Sequence, residues 1–398
     1  MSAWDLAVVG AGPAGSAAAI GALRVDPTLR VALLDRADFP RDKSCGDGIA
    51  PQVIDLLQGA GITGIVEGHV PVPRLRLHRG SFGVDRKMVR PTWVIPRTVF
   101  DHRLVEAART AGATLLRHRV RELAQRSSIL LDGSVEARTV VGADGAHSAV
   151  RRALGLSPGP MAVAVRGYAP TPPNRANAQV VVFDTARQPA YAWSFDRGDG
   201  LANVGYGELL GRRRERPAKA RLIERLGALL PGAAAGGTDW RGHHLPLSTG
   251  RWRPPTGRIL LAGDAAGLVN PMTGEGIYYA VATGLAAGRA AAEALIAGAP
   301  STAGARYAQA VERLLTAHLR HIAVAARLCR NGGVIDAGLR ASAADQRVFD
   351  DLVELGLARG HITSGMARGL VRELASTGGQ RRDRRRRKDS EERPACES

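Results

Sequence analysis

Three glycines, Gly10, Gly12 and Gly15, follow an apolar run at 6–9, and an acid, Asp35, closes a second apolar run at 31–34. A strand, turn and helix that receive a dinucleotide need this pattern. Gly10 permits the tight turn out of the strand, Gly12 lets the backbone approach a pyrophosphate, and Gly15 lets the helix pack on the strand. The helix entrance, with Ala14 in its first turn, offers free N–H groups and a positive dipole end to phosphates. Asp35 stands twenty residues beyond Gly15, where it can accept ribose hydroxyls, and Arg36 follows it.

Two further acid–glycine steps recur downstream. One is Gly142-Ala143-Asp144-Gly145, at the end of an apolar run. The other is Gly263-Asp264, followed by Asn270-Pro271 and then Gly274-Glu275-Gly276-Ile277 at the entrance to an Ala-rich helix. Each alone also fits an ordinary turn. Cys45 lies in Lys43-Ser44-Cys45-Gly46-Asp47-Gly48, where a neighbouring cation such as Lys43 favours the thiolate; a lone cysteine is equally a small buried hydrophobe. Tyr191, Trp193 and Phe195 alternate at period two and share one face of a strand, either core or the wall of an apolar ligand cavity. In a chain only 4% aromatic, this cluster points to the cavity. His147, His243 and His244 have no ligand-like partners and read as turn or surface residues.

The elements that must position these residues alternate in type. Residues 1–58 read as strand, helix, strand, loop, helix, and 70–95 as short strands. A helix over 97–111, strands at 114–119, 128–131 and 138–141, a strand-rich stretch over 161–208 and a helix over 217–230 follow. A strand at 259–262 leads to the Ala-rich helix over 274–297, and helices continue to 374. This order implies a discontinuous nucleotide domain (1–70, 96–155 and 251–300), a substrate-facing sheet domain (71–95 and 156–250) and a C-terminal helical region (301–376). The tail 377–398, with its run Arg381 to Lys388, has no apolar pattern and is expected to be disordered.

Composition narrows the class. The 398 residues are 45% apolar, enough for a large core. No apolar run of about 18 residues suggests a transmembrane helix. The first strand starts within five residues, leaving no room for a signal peptide, so a cytoplasmic protein is expected, with peripheral contact at the inner membrane face as an option. Cys45, Cys329 and Cys396 have neither disulfide-framework nor metal-site spacing, and no metal is expected. The net charge of +18 comes without a nucleic-acid motif, so nucleic acid is not an expected partner; the scattered arginines fit an Arg-rich composition first, and a basic surface could also favour anionic headgroups or an acidic protein.

The three nucleotide motifs in this order resemble the FAD-binding signature shared by aromatic hydroxylases, flavin halogenases and geranylgeranyl reductases. The loop Lys43 to Gly48 and the strand Tyr191-Ala192-Trp193-Ser194-Phe195 are similar to those of the geranylgeranyl and menaquinone reductases, although Asp196 stands where that family has proline. The resemblance spans about residues 4–375. It implies an α/β fold: a Rossmann-like FAD domain of the aromatic-hydroxylase type, an antiparallel-sheet substrate domain and C-terminal helices. It places Gly10, Gly12, Ala14, Gly15, Asp35 and Arg36 at the ADP half and Arg97 near the pyrophosphate. Asp144, Gly263 and Asp264 fall toward the ribityl and pyrophosphate groups, with Gly274, Gly276 and Ile277 against the isoalloxazine and Cys45 and Gly46 beside it. There a helix N-terminus stabilises the charge that reduction leaves near N1 and O2.

The activity so implied is reduction of C=C bonds in an isoprenoid lipid. Tyr191, Trp193 and Phe195 line the lipid cavity, and the proton comes from Cys45 or from a water near Gly276. Only one dinucleotide unit is visible, so electrons arrive from transient NADPH or from a redox partner such as ferredoxin. An FAD-dependent aromatic monooxygenase of the same fold is the alternative, and a lipid-binding protein with a relic flavin site is a third.

Overall fold

The computed structural model describes residues 3–211 and 217–376; the expected disorder of the 377–398 tail lies outside these residues. Two sheets organise the chain. The first runs in the order Thr114–Arg117, Val31–Asp35, Trp4–Val9, Val135–Gly142, Ile129–Leu131, Leu123–Gln125, and Ile259–Leu261 also pairs with Val135–Gly142. Its central pairings are parallel. Leu6, Ala7, Val8, Leu33, Val140 and Val141 have no solvent exposure, which is why these strands read as continuous apolar runs rather than alternating ones. The helix Pro13–Leu23 is buried on every side, between this sheet and the long helix Ile277–Ile296. Alanine and glycine dominate both helices because only small residues permit so close an approach.

The second sheet has eight strands, ordered Thr238–Pro246, Met161–Pro170, Leu201–Leu209, Ala190–Asp196, Ala178–Phe183, Val72–Arg79, Phe82–Val94, Gly48–Ile49. Most pairings are antiparallel, but Ala178–Phe183 runs parallel to Val72–Arg79. Trp193 pairs with Gly205 and Tyr191 with Gly207. A Cβ at Gly205 would sit 2.3 Å from the Trp193 ring, so glycine there makes the room the indole occupies.

The C-terminal helices Ala317–Leu328, Gly332–Ala344, Gln346–Leu357 and a last one over 364–376 complete the described fold. Ile335, Leu339 and Phe349 pack on Val84 and Met88 of the second sheet. No helix among the described residues is long and apolar enough to cross a membrane.

Local differences from the sequence expectation have physical causes. The short strands expected over 70–95 form one hairpin, whose second strand is 13 residues long. The edge strand Thr238–Pro246 escapes sequence reading because it is polar and only its last residue is buried. Gly48–Ile49, inside the piece 1–70, pairs with Phe82–Val94 and so joins the second sheet. The Ala-rich helix begins at Ile277, not at 274, because Gly274 adopts a left-handed φ of 75°.

Candidate flavin site

One cavity of about 1380 Å³ lies between the two sheets and the C-terminal helices. This exceeds the roughly 300–1,000 Å³ that holds a single drug-sized ligand. Gly10, Gly12, Ala14, Asp35, Arg36, Cys45, Gly46, Arg97 and Asp144 line it, together with Asp264, Gly274, Gly276, Ile277, Tyr191, Trp193 and Phe195. Gly15 and Gly263 do not. A Cβ on Gly15 would fall 1.7 Å from the Gly10 carbonyl oxygen, so its part is packing. Gly263 donates its N–H to Thr283 Oγ1 at 2.9 Å and adopts a φ of 58° beneath Ala14.

At the N-terminal end of the cavity, Asp35 accepts the N–H groups of Ala11 (2.8 Å) and Ala37 (2.9 Å), which ties the acid to the glycine turn. The helix Pro13–Leu23 has no side-chain cap. Asp144 accepts the Ala149 N–H at 2.6 Å and caps a short helix with one oxygen, while its Oδ1 is buried without a partner. Burial raises its pKa.

Charged pairs wall the next stretch. Arg97 is held by Asp101 at 2.5 and 2.8 Å, and Arg41 reaches the same carboxylate at 3.0 Å. Burial would lower the Arg97 pKa, but Asp101 outweighs it and keeps the guanidinium charged. Arg41 stands over the glycine turn, its Nη2 3.3 Å from where a Gly12 Cβ would lie. Lys43 pairs with Asp264 at 3.1 Å. Burial would raise the Asp264 pKa, but the Lys43 ammonium outweighs it and holds the group down as a carboxylate. His243 is not a surface residue: burial, helped by Lys43, pushes its imidazole down to about 3, so it stands neutral in the cavity wall. Its position was illegible because it belongs to the edge strand.

Cys45 departs from the thiolate expectation. Burial pushes the thiol above its ordinary value, and the opposing influence of Arg97 and Lys43 is too weak to reverse this. Glu275 is a site residue that the motif concealed, because its neighbouring glycines draw the attention. It accepts the Tyr278 N–H at 2.9 Å at the entrance to the long helix, and burial pushes it up to about 7. The Tyr191 hydroxyl donates to the Thr273 carbonyl. The rings of Tyr191, Trp193 and Phe195 follow one another at centroid separations of 5.9 and 6.3 Å.

The far arm of the cavity is apolar. No lining residue between 325 and 370 carries a charge; Leu328, Ile335, Leu339, Leu352, Ile362 and Leu370 are among them. These residues come from helices whose apolar faces read from the sequence as ordinary core.

Residues 3–320 match the FAD binding domain family. The menaquinone reductase of Mycolicibacterium smegmatis is 33% identical, across 81% of this chain and 83% of its own length. The chain belongs to the menaquinone and geranylgeranyl reductase family of FAD-dependent oxidoreductases. Digeranylgeranylglycerophospholipid reductase 1 of Methanopyrus kandleri is also 33% identical, over 73% of this chain and 81% of its own length. In fold, the chain is similar to a geranylgeranyl bacteriochlorophyll reductase-like protein of Thermoplasma acidophilum, with a TM-score of 0.76 at 20% identity, covering 94% of this chain and 99% of that one. The residues fit FAD. The uncapped helix entrance at Gly12 suits a pyrophosphate, and the unpartnered Asp144 Oδ1 and the cavity's size leave contacts and room for the rest.

Asp47 makes the site pH-sensitive. It is fully buried, and burial pushes it up to about 6 although the Tyr168 hydroxyl and Asn203 favour its charged form. The folded protein therefore holds this proton more tightly than the unfolded chain does. The stability it contributes is complete below about pH 4 and is lost as pH rises through about 6, on the order of 3 kcal/mol. Asp47→Asn tolerates the left-handed φ of 59°. Its thermal midpoint is expected to decline less between pH 4.5 and 7.5 than that of the parent, by roughly the amount set by this linkage; parallel curves would refute the assignment.

Proposed function

We propose that this enzyme saturates C=C bonds of a polyprenyl chain, as the names of its relatives suggest for them. The observation that carries the reading is the shape of the cavity: a polar, glycine-lined end continuous with an arm whose 325–370 lining is wholly uncharged. Bound FAD, once reduced, supplies a hydride. The chain's own residues do the rest. The apolar arm holds a long hydrocarbon and excludes water from it. Trp193, with its neighbours Tyr191 and Phe195, gives the alkene a flat wall close to Cys45 and Gly46. Burial keeps the Cys45 thiol protonated and raises the Glu275 carboxyl to about 7, and the proton for the second alkene carbon is drawn from this pair. NADPH or a ferredoxin-type partner delivers the electrons.

The test is anaerobic turnover of a polyprenyl substrate, menaquinone or a geranylgeranyl lipid, with chemically reduced enzyme. The product is expected to gain two hydrogens per bond by mass spectrometry. A product that gains one oxygen, and only in air, would replace this reading with a monooxygenase.

A further inference from the structure

The apolar arm has solvent-exposed lining residues at its lip, on helix Ala317–Leu328 and on the helix over 364–376. Leu328 lines the cavity and is nevertheless 42% exposed, and Ala367, on the other helix, is also exposed and lining. Each has an apolar neighbour one turn away on its own helix face, where positions four apart lie together. These are Val324, 52% exposed, and Val371, 65% exposed. Among the described residues, nothing covers these water-facing valine and leucine side chains at the lip of a hydrocarbon channel.

The charge carried by these two helices is mostly basic, with Glu373 their one acid. Arg320, Arg327, Arg330 and Arg368 are exposed and make no ion pair among the described residues. Glu373, the carboxylate of the last helix, is engaged by Arg340 and Arg372. Five residues beyond that helix the sequence runs Arg381-Arg382-Asp383-Arg384-Arg385-Arg386-Arg387-Lys388, seven basic side chains in eight positions. Basic clusters next to an apolar insertion surface are the composition that recognises anionic lipid headgroups.

We propose that this lip docks on a bilayer containing anionic lipids, with Val324, Leu328 and Val371 entering the headgroup layer and the arginines meeting phosphates. A hydrocarbon substrate then slides from the membrane into the channel without crossing water. The identity of what slides in rests on the proposed function; the docking does not.

The test uses the full, FAD-loaded chain sedimented with vesicles of phosphatidylcholine alone or mixed with phosphatidylglycerol. Binding is expected only with phosphatidylglycerol, and it should weaken as salt is raised. Arg327→Gln and Arg368→Gln should each reduce it by about fivefold. The double variant Val324→Asp/Val371→Asp should reduce it by more than about tenfold. All the variants should retain flavin colour and their turnover of detergent-dispersed substrate, since none of these side chains lines the cavity. Equal sedimentation with both vesicle types, no sedimentation with either, or unchanged partition of the double variant would overturn the proposal. Anionic-vesicle binding without reduction of any polyprenyl substrate would leave the docking surface standing and sink the substrate reading instead.

Discussion

Gly288→Val should yield no folded, yellow protein, and Gly288→Ala should accumulate with a sharply lowered thermal midpoint and reduced flavin content. The cause is the contact between the helices Pro13–Leu23 and Ile277–Ile296. A Cβ at Gly288 would lie 1.8 Å from the Ala18 carbonyl oxygen, and one at Gly284 would lie 2.2 Å from that of Ala14. Both obstacles are backbone, so no side chain can rotate away. The first helix cannot retreat either, because all eleven of its residues are buried. Overpacking of a filled core costs about 1–3 kcal/mol and sometimes more, against a total stability of roughly 5–15 kcal/mol. Separating the helices also displaces Gly12 and Ala14, which face the cavity. Gly227→Ala supplies the contrast. That glycine lies in the helix Lys219–Leu229 with nothing within 4 Å of its Cβ position, so alanine there should stabilise by about 0.5–1 kcal/mol. Thermal unfolding and the flavin-to-protein absorbance ratio measure both variants. Identical behaviour of the two alanine substitutions would refute the packing argument.

How far such features can be read in advance depends on their range in sequence. The glycine turn, Asp35 and the acid–glycine steps are local, because a strand, its turn and the next helix are consecutive residues. The family resemblance rests on these motifs together with the Cys45 loop and the aromatic strand. The pairing of Trp193 with Gly205 is also nearly local, since the two strands are neighbours in the chain. What stayed hidden depends on distant segments meeting. His243 looks like a surface residue until its edge strand is laid against Met161–Pro170 and its ring comes within reach of Lys43 and Asp264. Lys43 seems free to activate Cys45 until Asp264, more than two hundred residues away, takes it. Glu275 is visible as a letter, but its raised pKa is a property of burial. The apolar arm is the clearest case. Its residues follow the helical spacing of any core-facing stripe, and nothing local distinguishes a stripe that meets another helix from one that meets a cavity.

Asn203 is the hub through which these distant parts become one site, and its removal should cost turnover far more than flavin. The residue is fully buried. Its Nδ2 donates to the Cys45 carbonyl and to Asp47 Oδ2, each at 2.8 Å, and its Oδ1 accepts the Trp193 Nε1 hydrogen at 2.8 Å. One amide thus fixes both the cysteine loop and the aromatic wall. Asn203→Ala leaves the indole N–H and the Cys45 carbonyl without their partner, at about 1–3 kcal/mol for each buried group. It also frees the loop to shift relative to Trp193, and a displacement near 1 Å at a reacting centre costs on the order of a hundredfold in kcat. The glycine turns make no hydrogen bond to Asn203, so the flavin-to-protein ratio should hold. Asn203→Asp separates steric from electrostatic effects. It keeps the acceptor for Trp193, loses both donors and sets a second carboxylate against Asp47, whose pKa is already pushed up to about 6. Like charges raise such a pKa further, so this variant should approach parental stability near pH 5 and lose it steeply as the pH rises. Steady-state kinetics, flavin content and thermal midpoints between pH 5 and 8 distinguish these outcomes. Parental kcat in Asn203→Ala would mean that neither the cysteine loop nor the indole needs to be held for the reaction.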